Sequence, residues 1–389
     1  MRFLRQLSLS RAWPMLAAVA LLTFLGVLTI WADNPAAGKK QLIFFAVAAV
    51  AMALFQMVDY RIIGTYGVAF YCVSAALICY TLLGSVIRGI PGVTARNAAF
   101  NWIDFGPFAL QPSELMKVSF VMVMARYLRF RSNYRTVYGL IPPFLLAAVP
   151  MLLILKQPDL GTALIFIPTL FAMLFAAGAK LKHLLGVAAI ALACGPLIWL
   201  CGLPGVPVFN HLPSLIKPYQ RDRVYAMFSD DQETLMEGTG MQQQKALIAI
   251  GSGGFFGKGP MQIPAGKRIP ERSNDMIFAL IAEQYGLFGS LVVIGAYAMI
   301  FVVAIEIGGS TREPFGRLVA VGVVAMLAGQ AFVNLMVVTK LMPVTGVTLP
   351  FVSSGGSSLI ASFMSVGLLL NVGQKRPIVM GKRVFEFEE

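Results

Sequence analysis

Apolar residues gather along this chain in long blocks, separated by short charged or Gly/Pro-rich turns. A membrane-crossing helix needs about 20 mostly apolar residues. Ten stretches approach or exceed that length: 13–31, 41–57, 62–87, 113–128, 138–155, 161–178, 184–203, 276–307, 318–341 and 349–372. The pattern predicts an all-α integral membrane protein, one polytopic domain over 1–389 with ten transmembrane helices. Between the seventh and eighth blocks lies one large loop, 204–274. A structureless loop of that size is uncommon, so short helices lying over the bundle are expected there. The eighth block, 32 residues long, exceeds one straight span at 1.5 Å per residue. Its first turns are expected to stand above the bilayer. The first block is long and lacks a small-residue cleavage site, so it reads as a helix and not a cleaved signal.

Composition agrees with the pattern. The 389 residues are 58% hydrophobic and 13% charged, with a mean hydropathy of +0.76, against about 25% charged in soluble proteins. Basic residues orient the helices. With the N-terminus inside, sixteen Lys/Arg fall in inner segments (Arg61, Arg126, Arg129, Arg131, Arg135, Lys180, Lys182, Arg312 and Arg317, with three near the N-terminus and four near the C-terminus). Six fall in the short outer loops: Lys39, Lys40, Arg88, Arg96, Lys156 and Lys340. Both termini are therefore expected in the cytoplasm and 204–274 outside. The net charge of +13 is a topology signal with attraction to anionic lipid. Its dispersal among short loops argues against nucleic acid as a partner. Cys72, Cys79, Cys194 and Cys201 sit in apolar blocks and read as small core residues, with no metal spacing. His183 and His211 form no cluster.

Charges inside or beside the blocks mark the candidate chemistry. The fourth block opens QPSELMK, with Ser113 as a candidate cap; Glu114 and Lys117, at i and i+3, share a face and can pair. The fifth ends in KQPDLGTA, where Asp159 can cap the next helix or add a carboxylate on the same outer side. In the loop, LIKPYQRDRVYAMF interleaves Lys217, Arg221 and Arg223 with tyrosines, and QQQKALIAIGSGGFFGKGP reads as a helix carrying Lys245 and ending in a Gly-rich turn. Lys258, Lys267, Arg268 and Arg272 then gather ahead of Asp275. The loop's eight Lys/Arg against six Asp/Glu suit an anionic ligand such as a pyrophosphate. Ser273, Asn274 and Asp275 precede the eighth block, where a carboxylate either caps the helix or performs chemistry. Finally PVTGVTLPFVSSGGSSL, with Ser353, places small polar residues at the outer start of the last block, suited to close packing or to lining a cavity.

Taken together, QPSELMK, KQPDLGTA, PYQRDRV, IAIGSGGFFGKG, PERSNDMIFALIAEQYGLFG and TGVTLPFVSSGGSSL resemble the signature segments of the SEDS family, its RodA branch more than its FtsW branch. The chain departs from that pattern at Asn101, Lys245, Pro260, Asn274 and Ser354. The resemblance implies a peptidoglycan glycosyltransferase in the bacterial cytoplasmic (inner) membrane, its site facing the periplasm, serving wall elongation and cell shape. The implied substrate is lipid II, a disaccharide-pentapeptide on undecaprenyl pyrophosphate, and the implied partner is a class B penicillin-binding protein. The family's essential acid falls on Asp275 and its helix-four pair on Glu114 and Lys117.

On that implication Asp275 is the base. Asp159, Arg223, Lys245, Lys258, Lys267, Arg268, Arg272 and Ser353 join Glu114 and Lys117 as substrate-binding candidates. One carboxylate without a covalent intermediate implies inversion at the donor sugar, with undecaprenyl pyrophosphate as the other product. No cofactor is called for; Mg²⁺ or Mn²⁺ is an allowed helper, although no metal-ligand cluster stands in the sequence. Asp275 is expected ionised near neutrality, the helix dipole and nearby cations outweighing burial. The rival expectation is a flippase for the same lipid-linked precursor, which ten helices with charges inside would also permit.

Overall fold

The computed structural model describes residues 12–374 except 86, 88, 89, 97, 98, 107, 202–215, 217 and 229–237. Arg2, Arg5, Arg11, Arg88, His211, Lys217, Lys375, Arg376, Lys382 and Arg383 lie outside the described residues. So do most of the loop's acidic residues.

Helices form at all ten predicted blocks. They are α1 (Trp13–Asp33), α2 (Pro35–Met57), the short α3 (Tyr60–Thr65), then α4 (Gly67–Leu83), α5 (Pro112–Phe130), α6 (Ile141–Lys156), α7 (Leu160–Ala177) and α8 (Leu181–Leu200). The loop contributes α9 (Pro218–Phe228) and α10 (Gly238–Gly253), followed by α11 (Ile277–Ser310), α12 (Pro314–Val338) and α13 (Gly356–Gly373). Among the described residues, eight helices are long and apolar enough to cross a membrane. Of the other two blocks, α4 is apolar but only 17 residues long, and α5 carries Glu114, Lys117, Arg126 and Arg129.

Local chemistry sets several boundaries. Asn34 ends α1 and starts α2: its side chain accepts from the N–H groups of Ala36 and Ala37, and Pro35 occupies the first turn. Asp159 caps α7 by accepting from Thr162 N at 3.0 Å. Ser113 is not the cap of α5; the helix begins at Pro112, behind Gln111.

The helices pack around α13 and α5, the two most enclosed by neighbours. α13 lies along α2, α12 lies between α7 and α5, and α11 runs beside α1. Glycines let backbones meet. A Cβ on Gly26 of α1 would sit 2.5 Å from the carbonyl oxygen of Val352, and one on Gly161 of α7 would sit 2.7 Å from that of Thr345. Both contacts hold the irregular segment 343–355 inside the bundle. Around the outside, large apolar side chains such as Phe24, Ile43, Val50 and Phe175 are exposed, as expected where lipid is the solvent. Cys72, Cys79 and Cys194 are also exposed. They are not core residues, because these helices turn that side outward.

One expectation needs correction. The fold is not all-α: Val93–Arg96, Ala99–Asp104 and Ala109–Leu110 (β1, β2, β3) form an antiparallel sheet in the order β1-β2-β3. Short β-prone runs between Gly and Pro residues carried too little period-2 signal to be read as strands. The sheet feeds β3 directly into α5. The eighth block, too long for one straight span, is a helix with a break. At Gly286 the backbone leaves the helix (φ 65°, ψ −158°), dividing α11 into an upper segment, 277–285, and a lower one, 287–310. At 1.5 Å per residue the lower part alone is about 36 Å long.

Candidate functional site

The break at Gly286 is held open by the Gly-rich turn. Lys258 N and Gly259 N donate to the carbonyls of Glu283 and Gln284, both at 3.0 Å. Leu287 N and Phe288 N donate to Gly254 and Phe255 at 2.9 and 3.1 Å. The turn thus supplies partners for main-chain groups that an unbroken helix would have paired internally. The approach is too close for side chains: a Cβ on Gly253 would lie 2.1 Å from the carbonyl oxygen of Ala282. Gly253 and Gly257, where a Cβ would lie 2.1 Å from a carbonyl oxygen of α11, therefore serve this contact.

Glu283 anchors the same junction. Its carboxylate is fully buried and accepts from Ala265 N (2.9 Å), Gly266 N (2.7 Å) and Lys258 Nζ. Glu283→Ala would leave two main-chain donors without an acceptor, and a loss of about 3–5 kcal/mol is expected for opening such a buried pair. Thermal unfolding in detergent checks this; an unchanged midpoint would refute it.

Above the break, Asp275 sits in the turn that leads into α11. Asn334 Nδ2 donates to its main-chain oxygen at 2.7 Å and to that of Val347, also at 2.7 Å. Ser353 Oγ donates to Asn274 O and accepts from Leu349 N at 2.7 Å, while Ser354 N donates to Ser273 O at 2.8 Å. Residues 273–275 are thereby laid along 347–354. The Asp275 side chain caps nothing: the N-cap of α11 is Met276, with no side-chain cap bond. Asp275 is 6% exposed, and its Oδ1 is buried without a hydrogen-bond partner. Burial pushes its pKa up to about 7; a hydrogen bond from its own main-chain N–H and the Arg223 charge oppose the rise, and Glu271 adds to it. The expected dominance of dipole and cations is therefore corrected. Desolvation prevails because the carboxyl is almost fully enclosed and its Oδ1 has no donor, so one main-chain N–H and a nearby cation do not offset the loss of water.

Beneath lies a second polar cluster. Lys117 Nζ donates to Glu114 at 3.0 and 2.9 Å and to Gln330 Oε1 at 2.7 Å. Gln330 Nε2 in turn donates to Thr348 O at 3.0 Å. Glu114 and Lys117 are 4% and 3% exposed, so the pair is enclosed in protein. Ser357 links β3 to α13, accepting from Gln111 N and donating to Ala109 O, each at 3.0 Å. Gln111 Nε2 reaches Asp159 at 3.3 Å. Burial raises the pKa of Asp159, opposed by its bonds to Thr162.

The profile of the family described as "Cell cycle protein", FtsW/RodA/SpoVE, matches residues 6–377. The chain belongs to this FtsW/RodA/SpoVE (SEDS) family. It is 33% identical to stage V sporulation protein E of Bacillus subtilis over 92% of this chain and 94% of the relative. To the probable peptidoglycan glycosyltransferase FtsW of Geobacter metallireducens it is 34% identical, over 87% and 84%. Among solved structures, the Thermus thermophilus rod shape determining protein RodA is similar at 27% identity, with a TM-score of 0.66 over 94% of this chain and 98% of that one. A chain from a structure described as "Structural coordination of polymerization and crosslinking by a peptidoglycan synthase complex" is similar at 29%, with a TM-score of 0.77 over 93% and 97%.

In this SEDS chain the sequence candidates divide by what already engages them. Asp275 and Ser353 share one locus, and Arg223 reaches the same segment by donating to Val344 O at 3.0 Å. Glu114 and Lys117 pair beneath it. Lys258 is engaged by Glu283, and Arg272 by Asp33 and Lys267 O. Lys267 and Arg268 are exposed, and Lys245 is half-buried on α10. Among the described residues no three His, Cys, Asp or Glu side chains gather as a metal-ion cage. Sequence reading missed Asp33, Gln330 and Asn334 as parts of the site, and missed the anchoring role of Glu283. Gln330 and Asn334 left a signal: two amides at i and i+4 in an otherwise apolar helix.

Proposed function

We propose that this chain is a peptidoglycan glycosyltransferase that polymerises lipid II at the outer face of the cytoplasmic membrane, paired with a class B penicillin-binding protein. Wall elongation and cell shape are the role we assign it. One observation carries the chemistry: a buried carboxyl, Asp275, whose Oδ1 has no partner, at the head of the broken helix α11 and near the Arg223 cation. The family relationship supports the substrate class.

In this reading Asp275 accepts the proton of the acceptor sugar's 4-hydroxyl. The hydroxyl oxygen bonds to the donor's anomeric carbon with inversion as the bond to the pyrophosphate oxygen breaks, and undecaprenyl pyrophosphate departs. Arg223, Lys245, Lys267 and Arg268 are the cations proposed to meet the developing charge. Lys258 and Arg272 hold the scaffold through their carboxylate partners. Mg²⁺ or Mn²⁺ would add charge stabilisation for the leaving pyrophosphate beside these cations.

The test is purified protein, with and without its partner, given labelled lipid II in detergent. Glycan chains are expected. Their absence under both conditions would overturn the reading, and lipid translocation in vesicles without glycan would favour a flippase. We further propose that the helices at all ten blocks cross, which places both termini on one side. Accessibility tags at Glu389 and within 230–237 are expected on opposite faces of the membrane; labelling from one side would refute the topology.

A further inference from the structure

We propose that Asn334, with Gln330 one turn before it on α12, is the positioning residue that fixes Asp275 relative to the Glu114–Lys117 pair. The inference rests on the functional reading above. The two amides stand at i and i+4, so one helix face presents both. The Nδ2 group of Asn334 uses its two hydrogens on two main-chain carbonyls, Asp275 and Val347, at 2.7 Å each. Gln330 accepts from Lys117 at 2.7 Å and donates to Thr348 O at 3.0 Å. Residues 347 and 348 are neighbours, so the segment they belong to is pinned twice by adjacent turns of α12. The same segment holds Asn274 O through Ser353.

Asp275 makes no side-chain cap bond to α11. Its placement therefore depends on its main chain, and among the described residues Asn334 is the side chain bonded to the Asp275 carbonyl, beside the Ser353 bond to Asn274 O. Asn334 is 1% exposed and Gln330 2%, so no water can take over their donors without opening the bundle. Misplacing a reacting group by about 1 Å can slow catalysis about 100-fold.

Asn371 offers a control. It too is fully buried and spends its Nδ2 on two carbonyls, Phe55 and Val58, at the opposite end of the bundle, while its Oδ1 also accepts from Tyr60 N at 3.1 Å. Asn334→Ala, Asn334→Asp and Asn371→Ala would be compared in the full chain for thermal midpoint, for kcat and KM on lipid II, and for hydrogen exchange of 273–279. Both position-334 variants should lower kcat about 10- to 100-fold with KM within about threefold, and should speed exchange of 273–279 about tenfold or more. Asn371→Ala should lose comparable thermal stability while keeping both quantities near wild type. The Asp variant preserves shape without the donors, separating hydrogen bonding from cavity formation. Unchanged exchange at 273–279, or equal slowing by the Asn371 variant, would overturn the proposal. If the wild type makes no glycan the functional reading falls, and the exchange measurement still decides whether Asn334 clamps the Asp275 main chain.

Discussion

Asp275→Asn is expected to abolish glycan synthesis, by about 100-fold or more, while making the protein more heat-stable above neutral pH. The two effects share one cause. Burial raises the Asp275 pKa from its ordinary 3.8 to about 7, so the folded state holds this proton more tightly than the unfolded chain. Between those values the folded state binds more protons, and stability falls as pH rises. The penalty is absent below about pH 4, grows through about pH 7 and then levels off. A shift of about three units corresponds to roughly 4 kcal/mol as a ceiling. Asn carries no ionisation, so the gain in midpoint over wild type should widen from pH 5 to pH 8. The wild-type rate should rise with pH through about 7, because only the deprotonated carboxylate can act as base. A midpoint difference independent of pH, or glycan synthesis by the Asn variant at wild-type rate, would remove Asp275 from this role. Loss of a helix cap cannot imitate the result, since the side chain caps nothing.

Lys117→Ala should be the more damaging change to folding. It strands the Glu114 carboxylate, 4% exposed, without its cation, and it removes the donor to Gln330. Breaking a buried pair from one side destabilises by about 3–5 kcal/mol. Replacing both charges, Glu114→Gln with Lys117→Met, should recover most of that loss, because neither remaining group needs a charged partner. Polymerisation should stay impaired in the double variant if the pair supports the site, as we propose. A Lys117→Ala protein with a normal midpoint and normal rate would reduce the pair to an incidental contact. Recovery of activity along with stability would show that the pair only holds the fold.

Much of the architecture was legible in the order of residues. Blocks of about 20 apolar residues can be satisfied in lipid only as helices, and helices stand at all ten. Asp159 as a cap, the short helices α9 and α10, and the pairing of Glu114 with Lys117 also followed from local spacing, because their partners lie within one or two turns. What failed were statements about whether a position faced lipid or protein, and about non-local partners. Cys72, Cys79 and Cys194 look like core residues in sequence, yet lipid and protein interior are equally apolar, so composition cannot tell the two sides of such a helix apart.

The site itself depended on contacts remote in sequence. Lys258 and Arg272 were legible as cations, but only the fold shows that Glu283 and Asp33 engage them. The glycines of 251–259 were legible as permitting close approach; that Gly253 and Gly257 make it, against the backbone beside the break at Gly286, required the tertiary structure. The charge state of Asp275 was misjudged for the same reason. Dipole and cations can be counted along a chain, whereas desolvation is set by how completely segments 273–275 and 347–354 close over one carboxyl, and that closure exists only in three dimensions.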